Sequence, residues 1–482
     1  MKLPTHAFRE YDIRGVADRD LTDETARGIG RGFGTIIGFG GARGSAPDIA
    51  RAGEGVQPTF RVAVGRDCRL SSDRLFVALT GGLTEAGADV VDIGVGPTPM
   101  LYGAAHDLGT DGAVMITGSH NPGDENGFKM MRGKASFFGA DIQGLRSLVE
   151  HDRFAQPARK GKVERVDTRE RYVDMVTSKI RLARTDVKLV LDAGNGSGGP
   201  LGLACMRKLG LSPDPLYCDM DGRFPNHHPD PTVPANLEAL IARVRETKAR
   251  AGIAYDGDAD RLGAVDADGE IVWGDRLMIL FSRALLGEHP GAAVLGEVKC
   301  SQTLYDDIAK HGGRPIMWKT GHSLIKTKMK EEGALLAGEM SGHLFFADRY
   351  YGYDDAIYAS LRLVEILARD PRSLSEMLAD VPRTYATPEI RVDCPDAIKF
   401  DVVGAVRNHY RGTGNPVIDI DGARISFGTE RDPAWGLVRA SNTGPTLVMR
   451  FEATSEARRD VIRNEVERVV TEARARLGAS AT

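Results

Sequence analysis

Short apolar runs alternate with longer segments of helical period along most of this chain. The runs Arg61–Gly65, Asp89–Ile93, Gly112–Ile116, Lys188–Leu191, Ile253–Tyr255 and Ala293–Leu295 predict strands, and the periodic segments between them predict helices. That alternation builds stacked α/β units with mixed or mostly parallel sheets. The C-terminal part differs. Thr446–Phe451 is strand-like, and Ile462, Val466, Val469, Ala473 and Leu477 then recur at helical spacing, predicting a small α+β unit closed by one long helix. Polar or turn-forming stretches at Gln156–Arg169, after Asp266–Gly269 and near Pro382–Pro388 mark boundaries, so domains are expected at 1–165, 166–270, 271–384 and 385–482. The Gly- and Ala-rich stretch Gly38–Pro58 reads as a flexible surface insertion without chemistry.

Composition then removes whole classes of function. With 63 basic and 67 acidic residues the net charge is −4, so no bulk basic field points to nucleic acid or an anionic membrane. Any phosphate site must be local. Met1–Asp12 is polar and no run of 18 apolar residues occurs. The five cysteines are irregularly spaced, without a CxxC pair, which fits reduced thiols; the expected location is cytoplasmic. Glycine is abundant at 57 residues, much of it in short loops after apolar runs. The loops carry the specialisation.

Four of them concentrate chemistry. In Ile116-Thr117-Gly118-Ser119-His120-Asn121-Pro122 a hydroxyl stands at the exposed end of a strand, followed shortly by Asn126-Gly127-Phe128-Lys129. Ser119 could be a nucleophile or phosphate carrier; the plain alternative is an ST-turn or helix N-cap, and no Gly-x-Ser-x-Gly elbow surrounds it. In Asp256-Gly257-Asp258-Ala259-Asp260-Arg261 three carboxylates at alternate positions repel one another unless a cation compensates. An all-oxygen set selects Mg²⁺ or Ca²⁺ over zinc, and Arg261 at the sixth position with Ala267 at the twelfth excludes an EF-hand. Gly338-Glu339-Met340-Ser341-Gly342-His343 offers a carboxylate and a hydroxyl suited to adjacent sugar hydroxyls. Arg439-Ala440-Ser441-Asn442-Thr443-Gly444-Pro445-Thr446 compresses a guanidinium, hydroxyls and an amide into a phosphate-sized loop. A fifth run, Gly194-Asn195-Gly196-Ser197-Gly198-Gly199, matches the dinucleotide fingerprint, but Asp192 would place negative charge near a pyrophosphate, and a packing turn explains the pattern without a ligand.

These four loops, in this order, together with Phe8-Arg9-Glu10-Tyr11-Asp12-Ile13-Arg14-Gly15, resemble the α-D-phosphohexomutase family over nearly the whole chain. Gly-Glu-Met-Ser-Gly-His and Tyr351-Gly352-Tyr353-Asp354-Asp355 are similar to its bacterial phosphomannomutase/phosphoglucomutase branch. The resemblance implies three related α/β domains with mixed sheets and a fourth, TATA-binding-protein-like α+β domain, each sending one loop to a shared cleft. It implies two phosphoryl transfers through phosphorylated Ser119 and a hexose 1,6-bisphosphate, with glucose 1,6-bisphosphate as activator or intermediate. Mg²⁺ would lie on Asp256, Asp258, Asp260 and a phosphoserine oxygen of Ser119.

The remaining roles are carried over motif by motif. Arg261, His120 and Lys129 are expected around the transferring group, with Lys129 or His343 as general acid/base. Lys299 and His322 are expected substrate contacts. Glu339 and Ser341 would hold the 3- and 4-hydroxyls within a loop that also contributes Met340, Gly342 and His343. Arg439, Ser441, Asn442 and Thr443 would hold the distal phosphate, and Tyr11 and Arg14 would close the cleft. Small hexose phosphates are the expected partners of a monomer. The alternatives are phosphoglucosamine mutase and a non-catalytic phosphosugar-binding protein.

Overall fold

The computed structural model describes residues 3–40, 59–429, 432–442 and 444–479. Four sheets organise them, of seven, five, four and six strands in chain order. The predicted strands appear as Arg61–Arg66, Asp89–Val95, Gly112–Ile116, Leu189–Asp192, Ala251–Tyr255 and Ala293–Glu297. They read as continuous apolar runs because they are inner strands covered on both faces; Val62, Ala63 and Val64, for example, are fully buried.

The first three sheets are mixed. Arg61–Arg66 lies parallel to Asp89–Val95 and Gly112–Ile116, whereas Gly112–Ile116 pairs antiparallel with Glu125–Arg132. In the second sheet Ala251–Tyr255 is parallel to Leu189–Asp192 and antiparallel to Leu262–Asp266. In the third, Leu336–Gly338 is parallel to Ala293–Glu297 and antiparallel to Leu344–Phe346. The fourth is antiparallel throughout its pairings, with Trp435–Ala440 beside Thr446–Ala453. Three α/β units and one α+β unit are therefore present.

One regularity positions the site. Each of the four chemical loops connects two antiparallel neighbours: 117–124, 256–261, 339–343 and 441–445 are all hairpin connections. Asn126–Lys129 thus belongs to the strand Glu125–Arg132 rather than to a loop, and Ser119 enters a turn between strands rather than a helix. The helix N-cap alternative for Ser119 fails on that topology.

Apolar packing explains how the units are held. One continuous core joins Ala63 and Met115 of the first sheet to Leu191 and Ile253 of the second and Val294 and Leu336 of the third. The fourth unit has its own core, in which Ile462, Val466, Val469 and Ala473 of the helix Glu456–Ala479 are buried and Leu477 packs at the edge. Its apolar contact with the third unit is a small cluster of Val298, Trp435 and Leu437. The predicted insertion needs one correction at its start: Gly38 and Phe39 complete the helix Asp23–Phe39, while residues 41–58 lie outside the described residues. Among the described residues no helix is long and apolar enough to cross a membrane, and all five cysteines are free thiols.

Candidate active site

The hairpin carrying Ser119 is built around one buried cation that sequence reading missed. Arg69, 3% exposed, donates to the backbone carbonyls of Ser119 (2.8 Å), Asn121 (2.6 Å), Glu125 (2.9 Å) and Pro122, and its Nε is tied to Asp67 at 3.2 Å. Loop carbonyls that no strand can satisfy are thereby paired. Ser119 itself sits at φ 50°, a left-handed conformation that costs a non-glycine residue about 1–2 kcal/mol. Its amide donates to Thr117 Oγ1 at 2.8 Å, which holds the turn. The Ser119 hydroxyl then donates to Asp256 Oδ2 at 2.8 Å and lies 3.2 Å from His120 Nδ1.

Below the serine, Asp256, Asp258 and Asp260 are fully buried and bring ligand oxygens within 4.8 Å of one another. Burial, followed by the charges of Asp260 and Asp258, pushes the Asp256 carboxyl well above the usual range. Lys129, from the strand Glu125–Arg132, places its ammonium 2.8 Å from Asp258 Oδ2 and against Asp260 Oδ2. Although burial works against its charge, Asp258 and Asp260 hold it protonated. One ammonium does not complete the cluster: Asp258 Oδ1 and Asp260 Oδ1 are buried without a hydrogen-bond partner. An oxygen-only set with two unpaired carboxylate oxygens fits a hard divalent cation.

The serine and aspartate hairpins touch at Gly257, where a Cβ would stand 2.3 Å from the Ser119 carbonyl oxygen. Gly257→Ala must therefore part the two loops. A displacement of about 1 Å at a reacting centre costs on the order of 10²-fold in rate. Steady-state assays of this variant are expected to show a loss of that size in kcat; wild-type turnover would mean that the contact does not position the serine.

The other hairpins complete a cleft of about 1790 Å³, larger than the usual 300–1,000 Å³ of small-ligand pockets. Tyr11, Arg14, Ser119, His120, Lys129, Arg261, Lys299, His322, Glu339, Met340, Ser341, His343, Arg439, Ser441 and Asn442 all line it. Gly342 does not: its φ of 94° makes the turn whose carbonyl accepts from Leu262, and that backbone geometry is its structural role. Thr443 lies outside the described residues. The Glu339 carboxylate accepts from the Gly321 amide at 2.6 Å and from Ser341 Oγ at 3.1 Å, joining two loops of the third unit. Tyr11 spans three units, donating to the Thr320 carbonyl at 2.9 Å and accepting from Asn442 Nδ2 at 2.7 Å. Arg14 donates to Asp12 at 2.8 Å and to the Gly118 carbonyl at 2.6 Å, bracing the serine loop.

Two acidic residues without a motif hold the cationic ones. Asp421 Oδ2 accepts from Arg439 Nε and from the Thr320 amide, both at 3.0 Å. Lys299 Nζ donates to Glu389 at 3.0 Å, and that carboxyl is brought down to about 2, because Lys299 and Arg391 outweigh the opposing effect of burial. Across the cleft floor Arg261 Nε donates to His343 Nε2 at 3.1 Å. Burial, then Arg261 and Arg14, drives His120 well below its ordinary value, so it is a neutral ring beside the serine.

The dinucleotide fingerprint is resolved by its amides. Gly194 N donates to Asp192, Asn195 N to the Tyr217 carbonyl, Gly196 N to the Ala193 carbonyl and Ser197 N to the Gly257 carbonyl, at 2.7–2.9 Å. None of these four is left for a pyrophosphate. The turn buttresses the aspartate loop instead, and Ser197 Oγ adds a second donor to the Gly257 carbonyl at 3.0 Å.

Comparison with known proteins agrees with this geometry. The chain matches the phosphoglucomutase/phosphomannomutase alpha/beta/alpha domains I, II and III over residues 5–156, 170–269 and 273–385, and the C-terminal domain of that family over 389–469. It is 44% identical to a phosphomannomutase/phosphoglucomutase of Pseudomonas putida, covering 98% of this chain and 97% of the relative. It is 42% identical to a phosphoglucomutase of Neisseria gonorrhoeae over 96% of each chain. A solved phosphoglucomutase/phosphomannomutase family structure from Burkholderia thailandensis superposes with a TM-score of 0.86 at 42% identity, covering 98% of both chains. With all four hairpins arranged around one cleft and all four family domains in order, the chain belongs to the phosphoglucomutase/phosphomannomutase family.

Proposed function

We propose that this protein interconverts hexose 1-phosphates and hexose 6-phosphates as a phosphomannomutase/phosphoglucomutase, using Ser119 as a phosphoryl carrier and units at 1–165, 166–270, 271–384 and 385–482. The observation that carries the reading is the 2.8 Å contact of Ser119 Oγ with Asp256, above two further buried carboxylates, in a cleft also lined by Arg439, Ser441 and Asn442. A hydrolytic serine would need an oxyanion hole as well as a base such as the His120 ring beside it; a phosphoserine needs positive charge around it. Arg14, which donates to the Gly118 carbonyl, and Arg261 and Lys129, whose charges with that of Arg14 act on the neighbouring His120, supply that charge.

The chemistry is a balanced exchange. The Oγ–P bond of phosphorylated Ser119 breaks as a bond from the sugar hydroxyl to the same phosphorus forms, giving the hexose 1,6-bisphosphate. The hydroxyl proton passes to His343, while Ser119 Oγ leaves with the electron pair of its bond to phosphorus and takes up one proton from water, which His343 returns to solvent. We assign the base to His343 rather than Lys129, because Lys129 is held charged between Asp258 and Asp260. Mg²⁺, held by Asp256, Asp258, Asp260 and a phosphoserine oxygen, would draw charge off the phosphoryl group. Glu339 and Ser341 bind the 3- and 4-hydroxyls, with Lys299 and His322 beside them. Arg439, Ser441 and Asn442 hold the distal phosphate, and Thr443 belongs to the same loop by sequence. After the first transfer the bisphosphate turns over, and the reverse exchange returns the other phosphate to Ser119. A cleft of this size gives it room.

Anchoring through O3, O4 and a phosphate leaves C2 unread, and glucose and mannose differ only there. Turnover of glucose 1-phosphate and mannose 1-phosphate, measured in one coupled assay, is expected to agree within about tenfold, the 1.4 kcal/mol that a single weak contact supplies. A preference of a hundredfold for either sugar would contradict the binding scheme, and glucosamine 6-phosphate as the preferred substrate would replace it.

A further inference from the structure

We infer that Asp354 is a positioning residue for catalysis: a buried carboxylate that does not line the cleft and that fixes the ring orientation and tautomer of His343, with His322 as a second neighbour. The inference rests on His343 being the group that takes the sugar proton. Asp354 and Asp355 follow Tyr353 in a run whose chemistry the proposed mechanism does not otherwise use. Asp355 is occupied locally. Its side chain caps the helix Ala356–Arg369 by accepting from the Tyr358 amide at 2.8 Å and also accepts from the hydroxyls of Tyr172 and Tyr350.

Asp354 has no such local task. It is fully buried, and Oδ1 accepts from Lys326 Nζ at 2.9 Å. Its other oxygen, Oδ2, faces His343 Nδ1 at 3.3 Å and His322 Nδ1 at 3.5 Å. The two imidazoles stack over one another with centroids 5.7 Å apart and an interplanar angle of 21°. One carboxylate oxygen therefore stands at the edge of both rings.

The tautomer follows from donor arithmetic. A guanidinium only donates, so the bond from Arg261 Nε to His343 Nε2 requires an unprotonated Nε2. The proton of neutral His343 is then on Nδ1, the nitrogen beside Asp354. Nε2 is left as the unprotonated nitrogen on the side of Arg261 and Glu339, both of which line the cleft; its lone pair accepts from Arg261 and takes the sugar proton when that bond is exchanged. An oriented base with a carboxylate behind its far nitrogen is the arrangement by which a histidine accepts a proton without rotating away. Asp260 Oδ1 also lies 3.7 Å from His343 Nδ1, but it belongs to the aspartate cluster. Neither His343 Nδ1 nor Asp354 Oδ2 has a hydrogen-bond partner elsewhere among the described residues, so Asp354, its charge balanced by Lys326, is the carboxylate placed to hold the ring.

The test is a double-mutant cycle read as separate kcat and KM values on the full-length enzyme with glucose 1-phosphate. Asp354→Asn is expected to lower kcat roughly 10- to 100-fold, a share of the 10²–10⁴ that a positioned base supplies, with KM changed less than about threefold. In a His343→Ala background the same substitution should change kcat by less than about threefold, because the residue it acts through is gone. Equal losses in both backgrounds would overturn the positioning role. Full turnover by His343→Ala alone would instead remove the base assignment on which the inference rests. A measurement on the unmutated protein covers the case in which Asp354→Asn misfolds. With ¹⁵N-labelled histidine, the His343 resonances, assigned by their loss in His343→Ala, should show a protonated Nδ1 and an unprotonated Nε2. A protonated Nε2 in the neutral ring would overturn it.

Discussion

Ser119→Ala is expected to lower mutase turnover by at least about 10⁴-fold while leaving the fold and its melting temperature nearly unchanged. The size follows from what the residue does: losing a covalent nucleophile removes the reaction path, and comparable losses in other serine-dependent enzymes reach about 10⁶. The modest structural cost follows from the turn. Position 119 has a left-handed backbone, and alanine already occupies that region at Ala259, whose φ is 56°. The turn is held by backbone groups, through Thr117 Oγ1 and Arg69, and these do not involve the hydroxyl. What is lost is one hydrogen bond to Asp256, worth roughly 1 kcal/mol net. Calorimetry beside a coupled assay reads both quantities. A variant with a large melting shift would return Ser119 to a structural role, and one with wild-type turnover would end its catalytic assignment.

Removal of divalent cations carries the second large effect. A phosphoserine brings about −1.5 to −2 charge beside three buried carboxylates. One like-charge pair at 4 Å costs about 4 kcal/mol at an effective dielectric of 20, or about three decades in rate. Lys129 offsets part of that, yet Asp258 Oδ1 and Asp260 Oδ1 remain unpaired. Excess chelator is therefore expected to lower turnover on the order of 10³-fold, with recovery on adding Mg²⁺. Asp258→Asn should raise the Mg²⁺ concentration needed for half-activity without unfolding the protein. Full turnover in excess chelator would show that Lys129 alone balances the cluster.

The sequence made the chemical loops legible because their residues are neighbours in the chain. Ser119 with His120, the alternating aspartates, Glu339 with Ser341 and Arg439 with Ser441 each state their chemistry within six residues. Buried inner strands were legible for a related reason: Val62–Val64 and Gly112–Ile116 are covered on both faces and must be apolar along their whole length. Single charged residues that act at long range were not. Arg69 works on carbonyls 50 to 56 positions away, Asp421 reaches Thr320 across 101 positions, and Asp354 meets its histidines from outside their motifs. No local pattern distinguishes such a residue from a solvated one. Lys129 shows the intermediate case: its identity was readable, but its place on a strand, aimed at Asp258, depends on the antiparallel pairing of Gly112–Ile116 with Glu125–Arg132. The Gly194–Gly199 turn illustrates the reverse error, since a ligand fingerprint and a tight packing turn ask for the same glycines, and only the destinations of the amides separate them.

The central claim is that one phosphoryl group leaves Ser119, joins the sugar and is replaced in each cycle. Enzyme carrying a radiolabelled phosphoryl group, freed of unbound label and mixed with unlabelled glucose 1-phosphate for a few turnovers, tests it directly. Label should move from the protein into hexose bisphosphate and hexose 6-phosphate, while the protein stays phosphorylated with unlabelled phosphate. Label remaining on the protein while glucose 6-phosphate accumulates would contradict the account.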